Sequence, residues 1–261
     1  MNLFFETYGL PSIEFTILIM DHGGNVIQRN ALAVITARGG SKRIPRKNIK
    51  SFSGQPIIKY SIDAAMHVER FDEVMVSTDD EEIAKIATLY GAKVPFLRSS
   101  EKSDDYATTA EVLEEVLLEY QKRGTAFTHL FCIYPTAPFV TAGKLYDAMK
   151  LLVETGADSV LPVTRFSFPI QRSLNIEEGR IRMNWPEYYQ SRSQDLLPAY
   201  HDAGQFYALK SCSLLEQKRL YTDFTVPIIV PESEVQDIDN EEDWKIAELK
   251  FQLFQERLKR R

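Results

Sequence analysis

Residues 31–37, Ala-Leu-Ala-Val-Ile-Thr-Ala, make an almost unbroken apolar run that is too short for a typical helix. Such a run suits a strand covered on both faces, as in a parallel sheet flanked by helices. The chain then changes character: Arg38, Lys42, Arg43, Arg46, Lys47 and Lys50 fall within thirteen residues that hold no acid, around the pair Gly39-Gly40. The cluster runs against a formal net charge of -6 for the whole protein. A glycine turn after a buried strand lets backbone N–H groups approach an anion, and Lys and Arg add charge, so a polyphosphate is the natural ligand. A solvated basic loop is the plain alternative. Placement at the carboxyl end of the first core strand favours a ligand site, because open α/β sheets bind ligands there. Residues 31–50 match neither the Walker A pattern nor the Gly-x-Gly-x-x-Gly fingerprint.

A chain of 261 residues has ample core for one α/β domain, expected here over residues 31–261. The acidic balance argues against general nucleic-acid binding, and no apolar stretch reaches the length of a membrane span. Cys132 and Cys212 form neither a disulfide framework nor a ligand cluster. Cys132 lies in an apolar run and reads as a small core residue, in keeping with a reducing cytoplasm. His22, His67, His129 and His201 are scattered without ligand spacing.

Residues 1–30 fit poorly with the rest of the chain. A short strand is expected at 15–20, with Gly23-Gly24 as a turn, and the segment lacks the basic start of a secretory signal. An added strand, a dimer arm and a later start at Met20 all stay open, and no function is assigned. Beyond the basic loop the pattern predicts a helix over 55–68 and a strand at 74–76. Thr78 and Glu81 make a capping box for a helix ending at Gly91, and 94–97 reads as a strand. Thr108 and Glu111 make a second capping box. A strand at 129–134, the turn Pro135-Thr136-Ala137-Pro138, a helix at 141–154 and a strand at 159–163 come next. This β-α alternation implies a Rossmann-like, doubly wound, mixed but mainly parallel sheet.

From 165 to 200 the alternation breaks. Phe166, Phe168, Trp185, Tyr188 and Tyr189 sit among prolines and arginines, which reads as an excursion forming an interface or a binding rim. Strands are expected again at 204–209 and 224–230, then the stretch 235–239, then a last helix capped by Asn240. In Asp237-Ile238-Asp239 an extended backbone would point both carboxylates one way and Ile238 the other. Two hard oxygen ligands on one face suit Mg²⁺, completed by water and substrate phosphates. A turn aspartate beside a helix cap is the alternative, and the phosphate loop tips the balance toward metal.

Five ordered motifs now resemble the cytidylyltransferases that activate nonulosonic acids. They are Arg38-Gly39-Gly40-Ser41-Lys42 with Lys47-Asn48; Val76-Ser77-Thr78-Asp79; Leu97-Arg98 followed by Ser103-Asp104-Asp105; Pro135-Thr136-Ala137-Pro138; and Asp237-Ile238-Asp239. The resemblance spans roughly 31–250. The basic loop, Tyr134 and the run from His201 to Tyr207 are most similar to the pseudaminic acid branch. The resemblance implies an enzyme that joins CTP to the anomeric hydroxyl of an acidic nine-carbon sugar and releases pyrophosphate. It implies Arg38, Gly39, Ser41, Lys42 and Lys47 around the triphosphate, with Asn48 on the nucleotide. Arg98, Ala107 and Thr109 would read cytosine, and Tyr134, His201 and Gln205 would face the sugar. Asp237 and Asp239 would bind Mg²⁺, with Arg38 and Lys47 beside them as catalytic groups. It further implies a cytoplasmic homodimer whose arm is 165–200. Tyr134, His201 and Ala203 depart from the sialic acid branch, which disfavours sialic acid itself. The rivals are a synthetase for sialic or octulosonic acid, a nucleotide-sugar glycosyltransferase, and a non-enzymatic CTP sensor.

Overall fold

Local chemistry accounts for most of the elements. The computed structural model describes residues 18–20, 26–28 and 31–259. In chain order the first half comprises β1 (Leu18–Met20), β2 (Val26–Gln28), β3 (Ala31–Thr36), β4 (Ser51–Phe52), β5 (Gln55–Pro56), α1 (Ile57–Met66), β6 (Glu73–Ser77), α2 (Glu81–Leu89) and α3 (Thr109–Lys122). The second half comprises β7 (His129–Ile133), α4 (Ala142–Thr155), β8 (Ser159–Arg165), β9 (Leu174–Glu177), β10 (Arg180–Met183), β11 (Tyr200–Asp202), β12 (Phe206–Lys210), α5 (Ser211–Gln217), β13 (Thr225–Ile229) and α6 (Glu241–Lys259). β1 and β2 pair antiparallel. The turn expected at Gly23-Gly24, and the start of the strand expected at 15–20, lie outside the described residues.

The central sheet runs β6-β3-β7-β12-β8, with β11 and β13 also on β8. β3 is parallel to β6 and β7, β13 is parallel to β8, and β12 opposes both β7 and β8. The sheet is therefore mixed and mainly parallel, as expected. Alternation in β3 is complete: Ala31, Ala33 and Ile35 face one core, and Leu32 and Val34 face the other. This is the two-sided burial that the apolar run requires.

Four expectations change. Residues 94–97 are not a strand. Only Lys93 bridges to Met75, after which Pro95 removes a ladder donor and the chain turns so that Arg98 N bonds Thr78 O at 2.8 Å. The cap of α2 is Asp80 rather than Thr78, its Oδ1 accepting from Glu82 N and Ile83 N at 3.0 Å each. The stretch 235–239 joins no sheet, yet Ile238 is buried between an exposed Asp237 and a half-exposed Asp239. A helix that the sequence pattern did not announce, α5, comes directly after β12. The expected capping box of α3 is present, and Asn240 Oδ1 caps α6 through Glu242 N and Asp243 N.

A third core, away from the sheet, positions the site. Ile44 of the basic loop and Ile238 of the acidic segment pack with Phe52, Ile57, Phe139, Trp244 and Phe251. Burying each such side chain contributes about 1.5–3 kcal/mol. The excursion at 165–200 holds the β9–β10 hairpin, all four β9 side chains being exposed, and carries Phe168 at 84% and Leu197 at 80% exposure.

Candidate active site

The basic loop is shaped by acids from the β6–α2 turn. Gly39 N donates to Asp79 Oδ1 at 2.9 Å. A Cβ on Gly39 would lie 2.8 Å from Asp80 Oδ2, so the close approach requires glycine. Arg46 takes a left-handed backbone (φ 55°) and is clasped by Asp80, with Nη2 to Oδ1 at 3.0 Å, and by Glu82. The Arg46 guanidinium, aided by the helix N–H groups, holds the Asp80 carboxyl down to about 2.

This pair carries a pH signature. Because the folded pKa lies below the unfolded value, the stabilisation is fully present above about pH 4 and is lost as pH falls through about 2. Asp80→Asn keeps a good cap but loses the ion pair. With partial exposure discounted, it should cost about 1–2 kcal/mol at pH 7. Urea unfolding should show that gap narrowing between about pH 4 and pH 2, and a gap independent of pH would contradict the assignment.

Further along the loop, cations meet acids from distant parts of the chain. Arg38 Nη1 donates to Asp105 Oδ1 and Asp104 O, both at 2.9 Å, and Lys42 Nζ also reaches Asp105. Arg43 pairs with Asp239 Oδ1 at 2.7 Å, and Lys50 with Glu241 at 2.6 Å. Lys47 is different: its half-buried Nζ donates to Ile238 O at 2.7 Å. Burial lowers its pKa, against the opposing pull of Asp239 and Asp237. The basic loop and the Asp-x-Asp segment thus lie against one another. Asn48 is buried and donates from Nδ2 to Arg38 O at 2.9 Å, bracing the loop, and Ser41 N bonds Gly39 O at 3.0 Å.

The remaining candidates divide. Arg98 is buried, with Nε donating to Ser77 Oγ at 3.0 Å and Nη2 to Ser77 O at 2.6 Å. Burial lowers its pKa, opposed by Asp79 and Glu115. Ala107 N donates to Asp104 Oδ1 at 2.7 Å, in the turn that precedes α3. Thr109 Oγ1 lies 3.4 Å from the Tyr134 hydroxyl, and the Tyr134 ring packs edge-on to Tyr207 at 5.7 Å. Gln205 is buried, its Nε2 donating to Glu234 O at 2.5 Å while its Oε1 has no protein partner. His201 stands apart, exposed, with its ring 4.7 Å from Phe166 and its Nδ1 2.8 Å from Asp202 O.

Sequence reasoning gave no role to several positions here. Asp79, Asp80 and Asp105 shape the loop, and Asp202 accepts from the Tyr207 and Tyr221 hydroxyls, the latter at 2.7 Å. Lys144, largely withdrawn from solvent, ties Glu234 at 2.8 Å just before the Asp-x-Asp segment. The acids adjoining Thr78 and Arg98 were visible as motifs, but their partners were not.

Among the described residues no group of three or more His, Cys, Asp or Glu side chains is placed to hold a metal. The carboxylates of the exposed Asp237 and the half-exposed Asp239 are hard oxygen donors flanking a buried residue, which fits an ion completed by water and ligand phosphates rather than a protein cage. Burial pushes the Cys132 thiol up to about 12, so it is no nucleophile. No helix among the described residues is long and apolar enough to cross a membrane.

The chain is similar to known proteins in both sequence and fold. A family model described as cytidylyltransferase matches residues 32–222. The chain is 40% identical over 223 residues to a pseudaminic acid cytidylyltransferase of Campylobacter jejuni, covering 85% of this chain and 96% of that relative. It is 33% identical over 232 residues to a CMP-N,N'-diacetyllegionaminic acid synthase of Legionella pneumophila, with 87% and 98% covered. The fold matches that of a CMP:2-keto-3-deoxy-manno-octonic acid synthetase complexed with CTP, at a TM-score of 0.62 and 16% identity over 87% of this chain and 99% of that one.

Proposed function

The chain belongs to the cytidylyltransferase family, and on that premise we propose that it transfers the cytidylyl group of CTP to pseudaminic acid, giving CMP-pseudaminic acid and pyrophosphate. The observation that carries the chemistry is the meeting of the two charged segments, Lys47 on Ile238 O and Arg43 on Asp239, each at 2.7 Å. The likeness to the Campylobacter jejuni relative supports the choice of sugar.

In this reading the anomeric oxygen attacks the α-phosphorus, the bond to the bridging oxygen breaks, and pyrophosphate leaves with the electron pair. Nucleophile and phosphate are both electron-rich, so cations must offset the repulsion and the charge on the leaving group. Arg38, Ser41, Lys42, Lys47 and the backbone at Gly39 are assigned to the triphosphate. Asp237 and Asp239 are assigned to Mg²⁺, which supplies Lewis-acid charge stabilisation when bound. One carboxylate of that pair takes the hydroxyl proton. Arg98 and Thr109 are assigned to the base, with Ala107 beside them, and Asn48 to bracing the loop beneath the nucleotide. Tyr134, Gln205 and His201 are assigned to the sugar. No covalent nucleophile is needed, since alignment behind the leaving group supplies much of the rate.

Pyrophosphate release from CTP and Mg²⁺ with a panel of pseudaminic, sialic and octulosonic acids tests the reading. Turnover should be highest with pseudaminic acid. Turnover with another of these sugars but none with pseudaminic acid would overturn the sugar assignment. The exposed apolar arm at 165–200 is assigned to pairing with a second copy, supported by Phe168, Ile176 and Leu197 in solvent. Sedimentation should give the mass of a dimer, and a monomer at micromolar concentration would remove that assignment.

A further inference from the structure

The cations assigned to the triphosphate tail are already occupied by an acid of the same chain. Asp105 holds Arg38 Nη1 through Oδ1 at 2.9 Å and Lys42 Nζ through Oδ2, although it lies more than sixty residues away in sequence. The contact is built into the turn. Asp104 Oδ1 accepts from Tyr106 N at 2.9 Å and Ala107 N at 2.7 Å, which closes the turn and projects Asp105 toward the loop. Asp104 O takes a second bond from Arg38 Nη1 at 2.9 Å, and the capping box of Thr108 and Glu111 fixes the start of α3 just beyond. The two cations draw the Asp105 carboxyl below its usual range, Lys42 first.

A carboxylate bridging a lysine and an arginine is what a phosphate would do there. We infer that Asp105 is an internal counter-anion that yields Arg38 and Lys42 to the triphosphate tail and reclaims them as pyrophosphate departs. This rests on the assignment of those cations to the triphosphate. The contacts are solvent-exposed, with Lys42 at 80% and Asp105 at 41%, so the pairs are individually weak. A polyphosphate making several charge-assisted bonds displaces them readily. The competition still lowers affinity for every ligand that needs these two cations, which speeds release of the product that sits on them. A ligand whose single phosphate stays clear of Arg38 and Lys42 should feel little of it.

The test measures calorimetric binding of CTP, CMP and inorganic pyrophosphate, with Mg²⁺, to wild type, Asp105→Asn, Asp105→Ala and Lys42→Ala, with thermal unfolding confirming that each is folded. Both Asp105 variants should tighten pyrophosphate and CTP by about threefold to tenfold, the size expected for releasing two exposed pairs. CMP should change less, pyrophosphate should become a stronger product inhibitor, and binding should weaken more steeply with salt because the freed cations are no longer neutralised. Unchanged or weaker pyrophosphate binding in both Asp105 variants, with Lys42→Ala weakening CTP, would overturn the counter-anion role and leave the triphosphate assignment standing. Undiminished CTP binding in Lys42→Ala would overturn the assignment itself, and this inference with it.

Discussion

Asp239→Asn should lower kcat by about a hundredfold or more while changing CTP affinity far less. The substitution keeps the shape of the side chain and removes its charge, so Ile238 stays in its core and Lys47 keeps its carbonyl partner. What is lost is the carboxylate assigned above to Mg²⁺ and the counter-charge of Arg43, which pairs with Asp239 at 2.7 Å. Arg43 is then free to hold ground-state phosphate, which maintains binding but adds nothing selective for the transition state. Single-turnover rates and equilibrium CTP binding separate the two quantities. Equal losses in both would reduce Asp239 to a nucleotide-binding group with no part specific to the transition state, and full turnover would remove it from the reaction.

Lys47→Ala should reduce kcat/KM by about a hundredfold to a thousandfold, the size of losing one preorganised donor at developing charge. Lys47 is the loop cation whose ammonium meets a backbone carbonyl, so it reaches the site partly desolvated, where an electrostatic contact counts for more. The same truncation leaves Ile238 O without its donor, at a stability cost of about 1 kcal/mol that urea unfolding can read separately. Lys47→Arg should restore only part of the activity, because a planar fork replaces a compact ammonium. Burial lowers the Lys47 pKa, so wild-type activity should fall on the alkaline side before the ordinary lysine range is reached. That limb should move upward in the arginine variant. An unchanged pH profile would mean that Lys47 does not act as a cation in turnover.

Local periodicity carried much of this protein into view. The two-sided strand at 31–36, the caps at Thr108 and Asn240, and the alternation around Ile238 all arise from neighbours within four residues, and the structure has them in place. The failures arose where a local signal competed with a longer-range one. Val94 to Leu97 has strand-like composition, but Pro95 and the pull of Arg98 toward Thr78 and Ser77 take the chain off the sheet edge. Thr78 had the spacing of a cap, but Asp80 lies nearer the helix and bonds two of its N–H groups.

Sequence alone determined the parts of this protein whose physics is local: a cationic glycine turn at the end of a buried strand, and two carboxylates on one side of an isoleucine. Tertiary structure decided which charges meet. Lys47 and Ile238 are 191 residues apart, and no pattern in the chain links them. They come together because Ile44 and Ile238 both leave water for one aromatic core, and the charged groups beside them are carried along.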